Sequence, residues 1–283
     1  MGKLVDKLQQ VGQGGGAGIG FLGRARGQAQ APRPAAIVVT LRAADSAAAE
    51  AAVKNGADAV IVTGWQPSTD LSALKSALSA SSALWGVESA AEGSAAASAI
   101  TAAQEAGAGF VIVGPTAPAT LLADKHEKFD IGVAMDTPAD DLGLVLLRAE
   151  NLLPVQVALL RTRFTNAELS QLTVVEFARQ RLMLEGLRFP TLVSLREAPE
   201  AGYVKLLVRM GADGLVLPGE GVDAAKLGAQ VQALREELEK VPAEPDRGSS
   251  VVGISGLMEG GGASITRQPP RREPEPEPEP EEE

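Results

Sequence analysis

The sequence predicts an α/β fold, a single (β/α)8 TIM-like barrel, on three observations. A phrase made of a helix ending on Gly, a short step, an apolar run and a closing Gly recurs at 56–64 (GADAVIVTG), 107–114 (GAGFVIVG) and 211–221 (GADGLVLPGEG). Apolar runs of strand length alternate with helix-like segments eight times over 35–241, a span that suits one barrel. Each run is continuously apolar, as parallel strands covered on both faces are. An open, doubly wound sheet of eight strands is the alternative; the count of eight and the sustained rhythm favour closure.

The elements follow in order. Residues 4–11 (LVDKLQQV) place Leu4, Leu8 and Val11 on one face of a short helix, expected to cap the bottom of the barrel, with partner docking as the other reading. A Gly-rich arm runs on to residue 34. Its GIGFLG at 18–23 is spelled like a dinucleotide-binding turn, but no strand precedes it. Strand 36–41 leads into an Ala-rich helix at 45–55. Strand 59–63 leads into a helix at 71–80, with Ser68, Thr69 or Asp70 as its N-cap. Strand 84–88 precedes helix 94–106, and strand 110–113 precedes a short helix at 119–127. Strand 131–136 is followed by helix 139–151, and strand 155–160 by the longest helix, 166–186. Strand 191–195 precedes helix 199–210, with Pro199 in a tolerated first-turn position. Strand 214–217 and helix 222–241 close the series. The domains expected are thus a helix and Gly-rich N-terminal arm (1–34), the barrel (35–242), and a linker with a disordered, acidic Glu/Pro-rich tail (243–283).

Composition bounds the function. Apolar residues make up 45% of the chain and aromatics only 3%, so the core must be aliphatic. A formal charge of −10 argues against non-specific nucleic-acid binding and against an anionic membrane surface. The EP-rich tail is read as solubilising, or as the capture site for a basic protein partner. The absence of Cys removes disulfides, zinc–thiolate sites and thiol nucleophiles. The N-terminus lacks the apolar core of a signal peptide, and no apolar run reaches the roughly 18 residues of a membrane span. The expectation is a cytoplasmic protein.

In such barrels function sits at the C-terminal ends of the strands. The strand ends carry Thr40 and Arg42, then Thr63, Gly64 and Trp65, then Glu88 and Ser89, then Pro115 and Thr116. They continue with Asp136 and Thr137, Arg161 and Arg163, Arg196 and Glu197, and finally Gly219, Glu220 and Gly221. Arg42, Arg161, Arg163 and Arg196 form a candidate clamp, because guanidinium forks match carboxylate or phosphate. Glu88, Asp136 and Glu197 are candidate general acids and bases. Glu88 and Asp136 are also the candidate ligands for a hard cation such as Mg²⁺. Mutual ion pairing within the rim is the structural alternative for each of these residues. No Lys stands at a strand end, which disfavours Schiff-base chemistry. The single histidine, His126, lies in a charged segment, so a His triad or His-rich metal site is excluded. The single tyrosine, Tyr203, falls within a helix.

GADAVIVTG and GADGLVLPGEG resemble the strand-2 and strand-8 phrases of the phosphate-binding (β/α)8 barrel superfamily, which includes inosine-monophosphate-dehydrogenase-like and thiamine-phosphate-synthase-like enzymes. The resemblance implies that Gly and backbone N–H groups after strand 8 cradle phosphate, with Gly219 and Gly221 as contacts. The chain departs from the pattern by placing Glu220 between them, by reading Arg196-Glu197-Ala198-Pro199 after strand 7, and by lacking the inosine-type Cys. The leading expectation is a barrel whose mouth binds an anionic small molecule, phosphorylated or carboxylate. As an enzyme it would act as a lyase or isomerase by proton abstraction. The alternative is a catalytically inactive barrel serving as an interaction scaffold through its arm and tail.

Overall fold

The computed structural model describes residues 3–12 and 33–242, apart from 44, 80, 82, 93, 123–128, 138–150, 152 and 163. The strands are β1 (Ala36–Arg42), β2 (Ala59–Thr63), β3 (Leu84–Ser89), β4 (Phe110–Val113), β5 (Asp130–Asp136), β6 (Val157–Arg161), β7 (Thr191–Ser194) and β8 (Gly214–Pro218). They form a closed, all-parallel barrel in sequence order, and β1 completes the ring against β8 from Ala36↔Gly214 to Thr40↔Pro218. Helix α1 is Lys3–Gly12. The outer helices are α2 (Ser46–Lys54), α3 (Ser72–Ser79), α4 (Ser94–Glu105), α5 (Asn166–Ser170), α6 (Val174–Glu185), α7 (Ala201–Met210) and α8 (Ala224–Lys240). A 3₁₀ turn covers Ala119–Leu122. The expected helix at 139–151 lies almost wholly outside the described residues, as do the arm at 13–32, His126 and the tail from 243. Among the described residues no helix is long and apolar enough to cross a membrane.

The continuous apolar runs now have a cause. Successive residues of a strand point to opposite faces, and both faces are covered. Ala36, Val38, Ile61, Phe110, Ile112, Ala134, Val157, Leu159, Leu192 and Val216 fill the lumen. Ile37, Val39, Val60, Val62, Val111 and Leu215 pack outward with the helices. With few aromatics available, Phe110 is the one ring in the lumen cluster, and Gly86 makes its room: a Cβ there would stand 2.5 Å from that ring.

The repeated phrase is a helix stop and a clasp. Gly56, Gly107 and Gly211 have φ of 106°, 86° and 115°, a left-handed conformation that only Gly adopts without strain. After Gly56 and Gly211 the Asp two residues later works at the N-terminal end of the barrel. Asp58 accepts the N–H of Ile37 in β1 at 2.8 Å, and Asp213 accepts that of Thr191 in β7 at 2.8 Å. Before β6 the amide oxygen of Gln156 does the same for Ile131 of β5, also at 2.8 Å. In each case the residue ahead of one strand satisfies the first free donor of its predecessor, which would otherwise be buried unpaired.

Helix α1 closes the same end. Leu4 and Leu8 enter the lumen cluster, as the spacing of LVDKLQQV predicts for a bottom cap. The N-terminus of the helix is held by Asp130 of β5, whose Oδ2 accepts Leu4 N–H at 2.6 Å and Val5 N–H at 3.2 Å. The far end is held near β1, where Arg33 N–H donates to the Val11 carbonyl at 3.2 Å. The helix thus lies across the opening as a floor. Burial pushes the Asp130 carboxyl above its ordinary value; the amides of Val5 and Leu4 oppose the rise and the Asp6 carboxylate adds to it. The folded state therefore keeps this proton to higher pH than the unfolded chain does. Its contribution to stability is complete below the unfolded value and is lost as pH rises through the folded one. Asp130→Asn is expected to flatten that part of the denaturation midpoint against pH, and an unchanged slope would reject the assignment.

Three expectations require correction. The helix expected at 166–186 is two helices, because Thr173 and Glu176 form a second capping box that starts α6 three residues after α5 ends at Ser170, itself capped by Thr165 and Glu168. The longest described helix is α8, with 17 residues. Pro199 precedes the N-cap Glu200 and lies outside α7, so its fixed φ shapes the loop and not the first turn.

Candidate functional site at the C-terminal mouth

The inward phase of the strands decides which residues meet at the mouth. Continuing the lumen positions of each strand upward gives Thr40 and Arg42 on β1, Thr63 on β2, Glu88 on β3, Asp136 on β5, Arg161 on β6 and Ser194 on β7. The register places Asp136, Arg161 and Ser194 side by side on three neighbouring strands. Below them the lumen is packed with aliphatic side chains, so any ligand must sit at the rim.

Two ion pairs organise that rim. Arg161 Nη2 of β6 bonds Glu88 Oε1 of β3 across the opening, with the arginine side chain 44% and the glutamate 19% exposed. Thr137 steadies the end of β6, since its N–H and hydroxyl both donate to the Arg161 carbonyl, at 3.3 and 3.2 Å. On the other side, Arg42 Nε meets Glu220 Oε2 at 3.3 Å, and the Thr63 hydroxyl donates to Glu220 Oε1 at 2.6 Å. Exposed pairs of this kind contribute about 0–1 kcal/mol to stability, so their interest lies in how they arrange charge.

Asp136 and Arg196 are exposed, and neither has a hydrogen-bonded or ion-paired side chain among the described residues. Glu197 points away from the lumen: its Oε1 accepts Asn166 N–H at 2.6 Å, while Asn166 bonds the Ala198 carbonyl and Glu200 N–H. That cluster ties the loop after β7 to the start of α5. Arg163 lies outside the described residues. Trp65 is buried between barrel and helices, and Tyr203 is half-buried in the same layer. Among the described residues no group of three or more Asp, Glu or His is placed to hold a metal ion.

The turn after β8 is tightly drawn. Gly219 N–H donates to the Thr40 carbonyl at 2.9 Å, and a Cβ at Gly219 would lie 2.8 Å from that oxygen, which is why Gly stands there. Gly221 is exposed with φ of 67°. The first amides of α8, at Ala225 and Lys226, are taken by the Asp223 side chain at 2.9 and 3.2 Å. Sequence reasoning named Glu220 as a strand-end residue and as an interruption of the Gly turn. Its role as partner to both Arg42 and Thr63 spans 178 and 157 residues, and no local pattern signals it.

No family model matches the chain, and no curated protein matches it. Among solved structures, thiamine phosphate pyrophosphorylase from Pyrococcus furiosus is similar at 14% identity and a TM-score of 0.53, with 73% of this chain and 98% of that one covered. N-(5'-phosphoribosyl)anthranilate isomerase from the same organism shares 15% identity at a TM-score of 0.53, with coverage of 73% and 100%. The tryptophan synthase A-subunit from Pyrococcus furiosus shares 13% at a TM-score of 0.53, covering 71% and 98%. These likenesses establish the barrel fold and extend no further.

Proposed function

We propose that the mouth binds an anionic small molecule, phosphorylated or carboxylate, with Arg161 and Arg196 as its cations and Arg163 in the same clamp. The observation that carries this reading is the convergence of Arg161, Glu88 and Asp136 on the inward phase of the rim above a filled lumen, with Arg196, which has no side-chain partner among the described residues, after the neighbouring strand β7. Two of the similar structures bear enzyme names that contain a phosphorylated compound, which supports an anionic ligand without identifying it. Arg161 can exchange Glu88 for a ligand oxygen at little cost because the pair is partly in water.

As an enzyme, the chain would use Asp136 as general base, with Glu88 as the matching acid once Arg161 turns to the ligand. This is proton transfer beside a carbonyl, of lyase or isomerase type. Mg²⁺ bound by Asp136 and Glu88 remains within the proposal, since such sites need only one or two carboxylates. It would compete with Arg161 for Glu88. The scaffold reading is favoured by one feature, the exposure of Val174 (84%) and Val175 (77%) at the start of α6.

Calorimetric titration with phosphorylated and polycarboxylate metabolites tests the proposal. Arg161→Ala and Arg196→Ala are each expected to weaken binding of an anion at least about tenfold, the scale of a lost charge-assisted contact. Affinity that survives both substitutions rejects the clamp. A mouth that binds none of these compounds favours the scaffold.

A further inference from the structure

The mouth carries its own carboxylate at the β8 end, and that carboxylate is bonded as a ligand would be. Arg42 supplies a guanidinium N–H and Thr63 a hydroxyl, and both point at one group, the side chain of Glu220. Each Glu220 oxygen takes one of these donors. Part of the surrounding backbone is committed too, with Gly219 N–H on the Thr40 carbonyl and the Ala225 and Lys226 amides of α8 on Asp223. The single Thr63 hydroxyl hydrogen has the Leu41 carbonyl at 3.2 Å as its other acceptor, and the shorter contact, 2.6 Å, is the one to Glu220. A cation, a hydroxyl and a Gly turn together make a notch for an anion, and in this chain the notch is filled from within.

We propose that Glu220 is a built-in occupant of an anion notch formed by Arg42 and Thr63, and that it determines specificity by confining the ligand to the β5–β7 side of the mouth. The inference rests on the anion-binding reading of the mouth. An anion approaching β8 meets Glu220 and Asp223, two like charges, and finds Arg42 already engaged. The same anion approaching β6 and β7 meets Arg161 and Arg196, the latter without a side-chain partner among the described residues. Like-charge juxtaposition rejects wrong partners more effectively than attraction selects right ones.

Titration of the full-length protein with inorganic phosphate tests this. Glu220→Ala is expected to raise phosphate affinity about tenfold, or to make binding appear where the unaltered chain shows none, because it frees Arg42 for the anion. Adding Arg42→Ala to Glu220→Ala is expected to abolish the gain, whereas Arg42→Ala alone, which leaves Glu220 in place without its cation, gives no gain. Glu220→Gln, which keeps the side chain's shape, should shift affinity in the same direction by less. Glu92→Gln removes one charge elsewhere on the rim, where Glu92 accepts from Thr116, and is expected to change nothing. No gain in Glu220→Ala, a gain that survives loss of Arg42, or an equal gain in Glu92→Gln overturns the proposal. The comparison does not involve Arg161 or Arg196, so its failure is distinguishable from failure of the clamp.

Discussion

Asp58→Ala is expected to destabilise the folded barrel by about 3–5 kcal/mol, the range for removing one partner of a buried ion pair. Asp58 is 3% and Arg33 1% exposed. Arg33 Nη2 lies 2.9 Å from Asp58 Oδ1 and 3.1 Å from Oδ2, and Nη1 has no partner among the described residues. Without Asp58 the guanidinium is left charged in an apolar floor, and Ile37 N–H loses its acceptor as well. Arg33→Met combined with Asp58→Asn should recover most of the loss, because the charge is gone and the amide oxygen still serves Ile37. Denaturant unfolding of Arg33→Met, of Asp58→Asn and of the double variant gives the coupling. A loss below about 1 kcal/mol in Asp58→Ala, the range of a surface pair, would show that the pair is solvated.

Leu4→Ala is expected to cost about 2–5 kcal/mol, the range for deleting a buried leucine side chain. Leu4 is fully buried in the lumen cluster. The surrounding strands are fixed by their ladders, so the cavity cannot collapse. Gln10→Ala, on the exposed side of α1, should stay within about 0.5 kcal/mol. An isolated helix of 10 residues is marginal in water, so α1 draws its order from the barrel. A Leu4→Ala loss no larger than that of Gln10→Ala would mean that the floor is not packed as described.

The barrel was legible in the sequence because its cause is periodic. Apolar runs covered on both faces leave no polar interruptions, and the left-handed Gly after a helix marks each return to the sheet. The strand ends at Thr63 and Val113 fall where the pattern puts them, and the inward phase brings Glu88 and Arg161 together as rim residues. The break between α5 and α6 was also written in the chain, as two Thr-x-x-Glu boxes eight residues apart, but the apolar periodicity ran through it. Arg33 carries no local signal at all: its burial depends on Asp58, 25 residues on. The GAD phrases suggested the functional end through their resemblance. Their Asp58 and Asp213 instead serve the opposite end, where conserving a strand's first hydrogen bond matters and chemistry does not. Charge at the rim was legible as composition, yet which Arg meets which carboxylate is settled only by closure of the ring.

The floor made by α1 has a consequence for traffic. With Leu4 and Leu8 stoppering one end and the strand side chains filling the middle, the described barrel is closed from below. A guest bound as proposed at the upper lip would have to leave by that lip, so arrival of the next would wait on its departure.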